Sequence, residues 1–146
     1  MIKGKLLTYG DDLTIPFELR KMVFQEELGI DKNDDIDNKD DLAMHVIVED
    51  NGKYVGTGRI TYEDGICTID KICVLKEYRN NKYGDFILRM LVNRGLIANA
   101  EHIYVTCKKE LYPFFKSVGF NIVSEEIDLY KLEMAEKNLK CQCSHK

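Results

Sequence analysis

Residues 66–99, ICTIDKICVLKEYRNNKYGDFILRMLVNRGLIAN, constrain the fold more than any other part of the chain. An apolar run with strand character, 66–74, leads through a basic, amide-rich turn into a pattern of helical period. On that helix Gly84, Ile87, Leu88, Leu91, Gly95 and Ala98 share one face. The small residues at 84, 95 and 98 predict close packing onto a sheet. A helix start leaves backbone N–H groups unpaired and carries the positive end of the dipole, so it attracts anions. The turn Arg79-Asn80-Asn81-Lys82-Tyr83-Gly84 adds two fixed cations there. A phosphate suits such a place, and a diphosphate fits it electrostatically.

The flanks build a sheet around this unit. Residues 2–9 read as a short strand ending at Gly10-Asp11-Asp12. A helix follows, with Thr14 as N-cap, Pro16 in the first turn, Glu18 near the positive dipole end and Gly29 as the stop. Ile15, Leu19, Met22 and Val23 form its apolar stripe, extended by Phe24 and Leu28. The acidic segment 31–41, DKNDDIDNKDD, reads as a loop that is either mobile or lies over something, a solvated surface loop being the favoured reading. It lacks the glycine register of an EF-hand. Alternating strands at 43–50 and 53–62 flank Asn51-Gly52, the strongest short hairpin signal. Gly56 and Gly58 in the second arm predict close backbone approach or a bulge.

Asp64-Gly65 turns the chain into 66–74, and the helix then leads to a strand at 102–107, parallel to 66–74 by a right-handed crossover. A helix at 109–118 closed by Gly119 and strands at 120–123 and 127–134 complete one mixed α/β domain, 1–135. The tail, 136–146, is polar and expected to fray.

Composition excludes several classes. A formal net charge of −4 argues against non-specific nucleic-acid binding, which needs a basic surface. No apolar run approaches the roughly 18 residues of a membrane span. The N-terminal residues lack the apolar core of a secretory signal, so a cytoplasmic location is expected. Cys67, Cys73 and Cys107 lie in apolar strand runs and read as reduced core residues. Cys67 and Cys73 would stand about 20 Å apart on one strand, too far to bridge. Cys141, Cys143 and His145 offer three donors without a fourth, so no metal is expected.

Three motifs carry a family resemblance. Val74-x-x-x-Tyr78-Arg79-x-x-Lys82-x-Gly84 resembles motif A of the GNAT acetyltransferases, a strand-ending Val followed by R-x-x-G-x-G/A. Residues Phe114-Phe115-Lys116-Ser117-Val118-Gly119-Phe120 resemble their motif B, F-Y-x-K-x-G-F. Arg20, Val23, Phe24 and Glu27, then Asp37, Asp40, Ala43 and His45, are similar to the ElaA-type bacterial branch, R-x-x-V-F-x-x-E followed by D-x-x-D-x-x-A-x-H. The likeness spans nearly the whole chain.

The resemblance implies a twisted, mostly antiparallel sheet in which strands 66–74 and 102–107 splay apart to admit acetyl-CoA. The pantetheine arm would bond to main-chain groups of Ile72 and Val74, with Cys73 between them. The diphosphate would lie on the amides of Asn80, Asn81, Lys82, Tyr83 and Gly84, charged by Arg79 and Lys82, with Asp85 and Phe115 completing the cofactor set. The implied reaction is acetyl transfer to an amine of a small molecule or peptide, by direct attack in a ternary complex. A homodimer is implied by resemblance only.

Such chemistry needs an N–H to stabilise the oxyanion, here near Val74, and an acceptor for the ammonium proton. The leaving thiolate, with a pKa of roughly 8.5, gains from a proton donor without requiring one. Asp70 is a candidate base because it shares strand parity with Thr68, Ile72 and Val74. Glu27 and His45 are candidates through the ElaA-type match. Cys107 reads as a core thiol rather than an acyl carrier. Two positions depart from the family pattern: Lys82 stands at the first loop glycine, and Phe115 at the motif B tyrosine. Tyr112, one turn earlier, is placed to substitute for that hydroxyl. The alternatives are an acyl-CoA-binding member with little turnover, and a phosphate-ligand or partner-binding module using the acidic loop.

Overall fold

The computed structural model describes residues 1–136, 138 and 139. Its first four strands, β1 (Ile2–Leu7), β2 (Met44–Asp50), β3 (Lys53–Glu63) and β4 (Ile66–Val74), pair antiparallel in succession. Both hairpin turns are left-handed at their two central residues, with φ of 51° and 83° at Asn51 and Gly52 and of 51° and 84° at Asp64 and Gly65. Such turns match the twist of the strands they join. A helix, Tyr83–Ile97, crosses from β4 to β5 (His102–Lys108), which lies parallel to β4. Strands β6 (Phe120–Glu125) and β7 (Leu129–Met134) finish a seven-stranded sheet of order β1-β2-β3-β4-β5-β7-β6. The sheet is mixed, mostly antiparallel, with one parallel pair, as expected.

Helices flank it, four of them α-helices among the described residues. α1 (Thr14–Arg20) runs on as a π-helical segment, Lys21–Glu27. α2 is the single turn Lys32–Asp35, α3 is the crossover helix, and α4 is Tyr112–Lys116. The expected helix at 109–118 starts instead with a 3-10 turn, and the α-helical part begins beside Pro113, whose missing N–H is tolerated only in a first turn. Thr14 is not the N-cap of α1. Its N–H and hydroxyl both donate to Asp12, at 2.9 and 2.6 Å. The apolar stripe also departs from α periodicity. Once hydrogen bonds lengthen at Lys21, Leu19 and Val23 stay buried while Met22 and Leu28 reach the surface.

One sheet face belongs to α3. Ile87, Leu88 and Leu91 are fully buried against it, and the glycines of β3 make the approach possible. A Cβ on Gly58 would lie 2.7 Å from Ile87 Cγ2 and 2.8 Å from Leu91 Cδ1. Gly95 serves the same end, its added Cβ falling 2.7 Å from Ile103 Cδ1. Gly84 and Ala98 do not, since a Cβ at 84 meets Phe114 only at 3.6 Å and Ala98 is exposed. On the opposite face α1 and its π extension lay Leu19 and Val23 against Cys73 and Leu75. Cys67, Cys73 and Cys107 are free and buried. Of the tail, Leu139 packs against the main core. Cys141, Cys143 and His145 lie outside the described residues, as does most of the stretch expected to fray. Among the described residues, no helix is long and apolar enough to cross a membrane.

Gly58→Ala is expected to lower stability by about 1–3 kcal/mol, because α3 must move off β3 to admit the methyl. Urea unfolding followed by circular dichroism measures it.

Candidate active site

The sheet opens at its centre. β4 pairs with β5 only through Ile66–His102, Cys67–Ile103 and Thr68–Tyr104, after which β5 pairs with β7 alone and β4 with β3 alone. The facing edges of β4 and β5 therefore part beyond Thr68 and leave main-chain groups without sheet partners among the described residues.

Within the open part β4 carries a bulge. Thr57 faces Cys73 and Arg59 faces Asp70, so Lys71 and Ile72 together oppose Gly58. Lys71 takes φ of 55° to accommodate the extra residue. The bulge inverts side-chain parity. Ile72 and Val74 turn toward α3, where added methyls on Gly58 and Gly56 would find them at 3.2 and 3.3 Å. Asp70 points to the opposite face, where it pairs with Arg59. The expectation that Asp70 shares a face with Ile72 and Val74 is thus incorrect, because strict alternation ends at Lys71. Cys73 also lies on the α1 face, where burial pushes its thiol up to about 12.

The loop between β4 and α3 is left-handed at alternate residues, Asn80 with φ of 68° and Lys82 with φ of 65°. Lys82 fills the glycine position of motif A in the conformation that makes glycine usual there, at a cost of about 1 kcal/mol. Asn81 Nδ2 donates to the carbonyls of Tyr78 and Arg79, at 3.2 and 3.3 Å. At the start of α3, the Phe86 N–H donates to Lys82 carbonyl at 3.1 Å, leaving the N–H groups of Tyr83, Gly84 and Asp85 at the open helix end. The Tyr83 ring is buried, and its hydroxyl donates to Asp50, which lowers the Asp50 carboxyl. Asp85 pairs with Arg89 at 2.9 Å.

The other predicted residues are engaged elsewhere. Arg79 donates through both terminal nitrogens to Glu27, 2.6 Å each, and those bonds hold the Glu27 carboxyl below its usual range. Phe115 is buried, edge-on to Phe114 and Phe120. Tyr112 is half-buried, edge-on to Tyr130, with the Lys116 ammonium over its ring.

The acidic segment is solvated only in part, and it lies over buried charges. Asp35 and Asp40 are buried, because two arginines buried on the sheet side require them. Arg20 donates to Asp35 at 2.9 Å and to Asp40 at 2.7 and 3.2 Å. Arg59 holds Asp70 with two bonds of 2.7 Å and reaches Asp37 at 2.6 Å and Asp40 at 3.0 Å. Burial alone would raise the carboxyls of Asp37 and Asp40, but the hydrogen bonds from Arg59 and Arg20 respectively outweigh it and both are lowered. His45 is buried beside them and donates from Nε2 to the Asp40 carbonyl at 2.9 Å. Burial lowers its pKa, which favours the neutral imidazole, and Nδ1 has no hydrogen-bond partner among the described residues. Arg59, absent from the expected site, was marked in the sequence by a charge at a strand position between Gly58 and Ile60.

A sheet opened between two parallel strands, with a left-handed loop and helix start at its mouth, is the framework of an acyl-CoA-dependent transferase. The chain belongs to the Acetyltransferase (GNAT) family, whose sequence profile matches residues 12–120. It is 29% identical over 125 residues to the uncharacterized N-acetyltransferase YjcF of Bacillus subtilis (strain 168), covering 86% of this chain and 89% of YjcF. Its fold is similar to that of Escherichia coli ElaA, with a TM-score of 0.79 at 22% identity over 92% of this chain and 100% of ElaA. It also resembles a GNAT family acetyltransferase from Elizabethkingia anophelis with acetyl-CoA bound, with a TM-score of 0.71 at 16% identity over 91% of this chain and 97% of that one.

Acid should loosen this site in two stages. His45 titrates below its ordinary 6.5, so its share of stability is complete above that pH and is lost as the pH falls toward its folded value. Asp37 and Asp40 titrate below 3.8, so theirs is lost only at more acid pH still. Urea midpoints should fall in both windows. Asp40→Asn should remove part of the lower step and cost about 1.5–3 kcal/mol at neutral pH, because Arg20 and Arg59 lose the carboxylate they share while keeping Asp35, Asp37 and Asp70.

Proposed function

We propose that this protein transfers an acetyl group from acetyl-CoA to an amine of a small molecule or peptide, by direct attack in a ternary complex in the cytoplasm. The observation that carries the proposal is the continuity of the open β4 edge with the left-handed loop at the start of α3. The main chain at Ile72 and Val74 would hold the pantetheine arm. The N–H groups of 80–84, with the exposed Lys82 ammonium beside them, would hold the diphosphate. Acetyl-CoA supplies the activated thioester. A β4 N–H near Val74 would stabilise the oxyanion as the tetrahedral centre forms.

The proton must leave the amine by a route that fits the occupied carboxylates. Asp70 is forked to Arg59, Glu27 to Arg79, and His45 is neutral and buried. An arginine-bound carboxylate is a poor base, so water is the natural first acceptor near the open strand edge. Tyr112 supplies the hydroxyl that Phe115 lacks, as donor to the departing thiolate. The engagement of all three base candidates also favours a second reading, an acyl-CoA-binding protein with little turnover.

Free CoA should raise the melting temperature, and an amine panel with acetyl-CoA should release free thiol. Stabilisation without thiol release would select the second reading, and no stabilisation would reject both. Lys82→Glu should weaken CoA binding at least about tenfold, by setting a carboxylate beside the diphosphate. Tyr112→Phe should slow thiol release about tenfold or more if its hydroxyl is the proton donor, and an unaltered rate would leave Tyr112 as packing.

A further inference from the structure

Arg79 stands beside the phosphate loop, where its charge invites a direct contact with diphosphate, yet each of its three guanidinium nitrogens already donates within the protein. Nη1 and Nη2 donate to the two carboxylate oxygens of Glu27, and Nε donates to the Val74 carbonyl at 3.0 Å. The two anchors flank the loop. Val74 is the last residue of β4, and Glu27 is the last residue of the π-helical extension of α1. A planar fork engaged at both oxygens fixes orientation as well as distance. Nearby, Leu19 and Val23 pack on Cys73 and Leu75, so the helix that carries Glu27 is seated on the strand that carries Val74. At the far end of the loop the Tyr83 hydroxyl is tied to Asp50. Asn80 and Lys82 keep their left-handed conformations between these two fixed ends.

We propose that Glu27 and Arg79 form a strap that sets the shape of loop 79–84, which makes Glu27 a positioning residue for the acyl-CoA diphosphate and not the general base. The proposal rests on the acyl-CoA reading above. The strap joins residues 52 apart in sequence, and its opposite charges offset one another. Lys82 is then the cation of the loop, and the main-chain N–H groups are its ligands. A different arrangement makes the opposite forecast: if Arg79 left Glu27 to grip the diphosphate, Glu27 would compete with the cofactor, and its removal would tighten binding.

The test is a double-mutant cycle on CoA affinity by calorimetry, with Glu27→Gln, Arg79→Met and the pair, each checked for folding by thermal unfolding. Each single change is expected to weaken CoA binding about tenfold, and the pair no more than the worse single change. With acetyl-CoA as substrate the loss from Glu27→Gln should fall on KM and not on kcat, and it should be absent with acetylpantetheine, which lacks the diphosphate. Tighter binding by Glu27→Gln, losses that multiply to about a hundredfold in the pair, or a fall in kcat at constant KM would each overturn the strap. Failure of the unaltered protein to bind CoA would overturn the functional reading and the strap with it, whereas CoA binding with multiplying losses would overturn the strap alone.

Discussion

Arg59 is the residue on which the arrangement of the candidate site depends. Its guanidinium is buried in the middle of β3, and a charge in that position cannot persist without carboxylates around it. It draws on three of them, Asp37 and Asp40 from the acidic segment and Asp70 from the neighbouring strand. Arg20 repeats the demand from the end of α1, taking Asp35 and sharing Asp40. The acidic segment is thereby folded down across α1, β3 and β4 as one polar layer. Such a layer confers shape more reliably than net energy, since desolvation of the ions offsets much of their attraction.

Much of the fold was legible because local chemistry decides it. Asn51-Gly52 and Asp64-Gly65 announced turns that need left-handed residues, the glycines of β3 announced a close backbone approach or a bulge, and the small and apolar residues on one face of α3 announced a helix packed close to the sheet. The motif A turn also lay where it was expected. Two features of the candidate site escaped, for separate reasons. The bulge at Lys71 uses no glycine, so nothing in 66–74 marks where alternation stops, and Asp70 was assigned to the wrong face. The acidic segment was read from its own composition, while its burial is dictated by Arg20 and Arg59, which are distant in sequence. A charged residue inside an otherwise apolar strand was the available sign.

The pairing of the carboxylates bears on the chemistry. Asp70 and Glu27 each look like free carboxylates in the sequence, and each proves to be one half of an arginine fork. The site is therefore richer in fixed hydrogen bonds than in available bases. That balance suits a reaction in which holding two substrates together does most of the work and the proton is passed to water. The buried neutral His45 belongs to the same pattern, with its donor nitrogen spent on the main chain of Asp40.

The extra residue in β4 has a consequence for how such a strand can vary over time. Asp70, before Lys71, answers to the polar layer, while Ile72 and Val74, after it, answer to α3. Because the inversion separates the two stretches, a change of side chain in one is not transmitted as a change of register in the other. A lineage can alter what lines its opening without renegotiating the charges that hold the domain together.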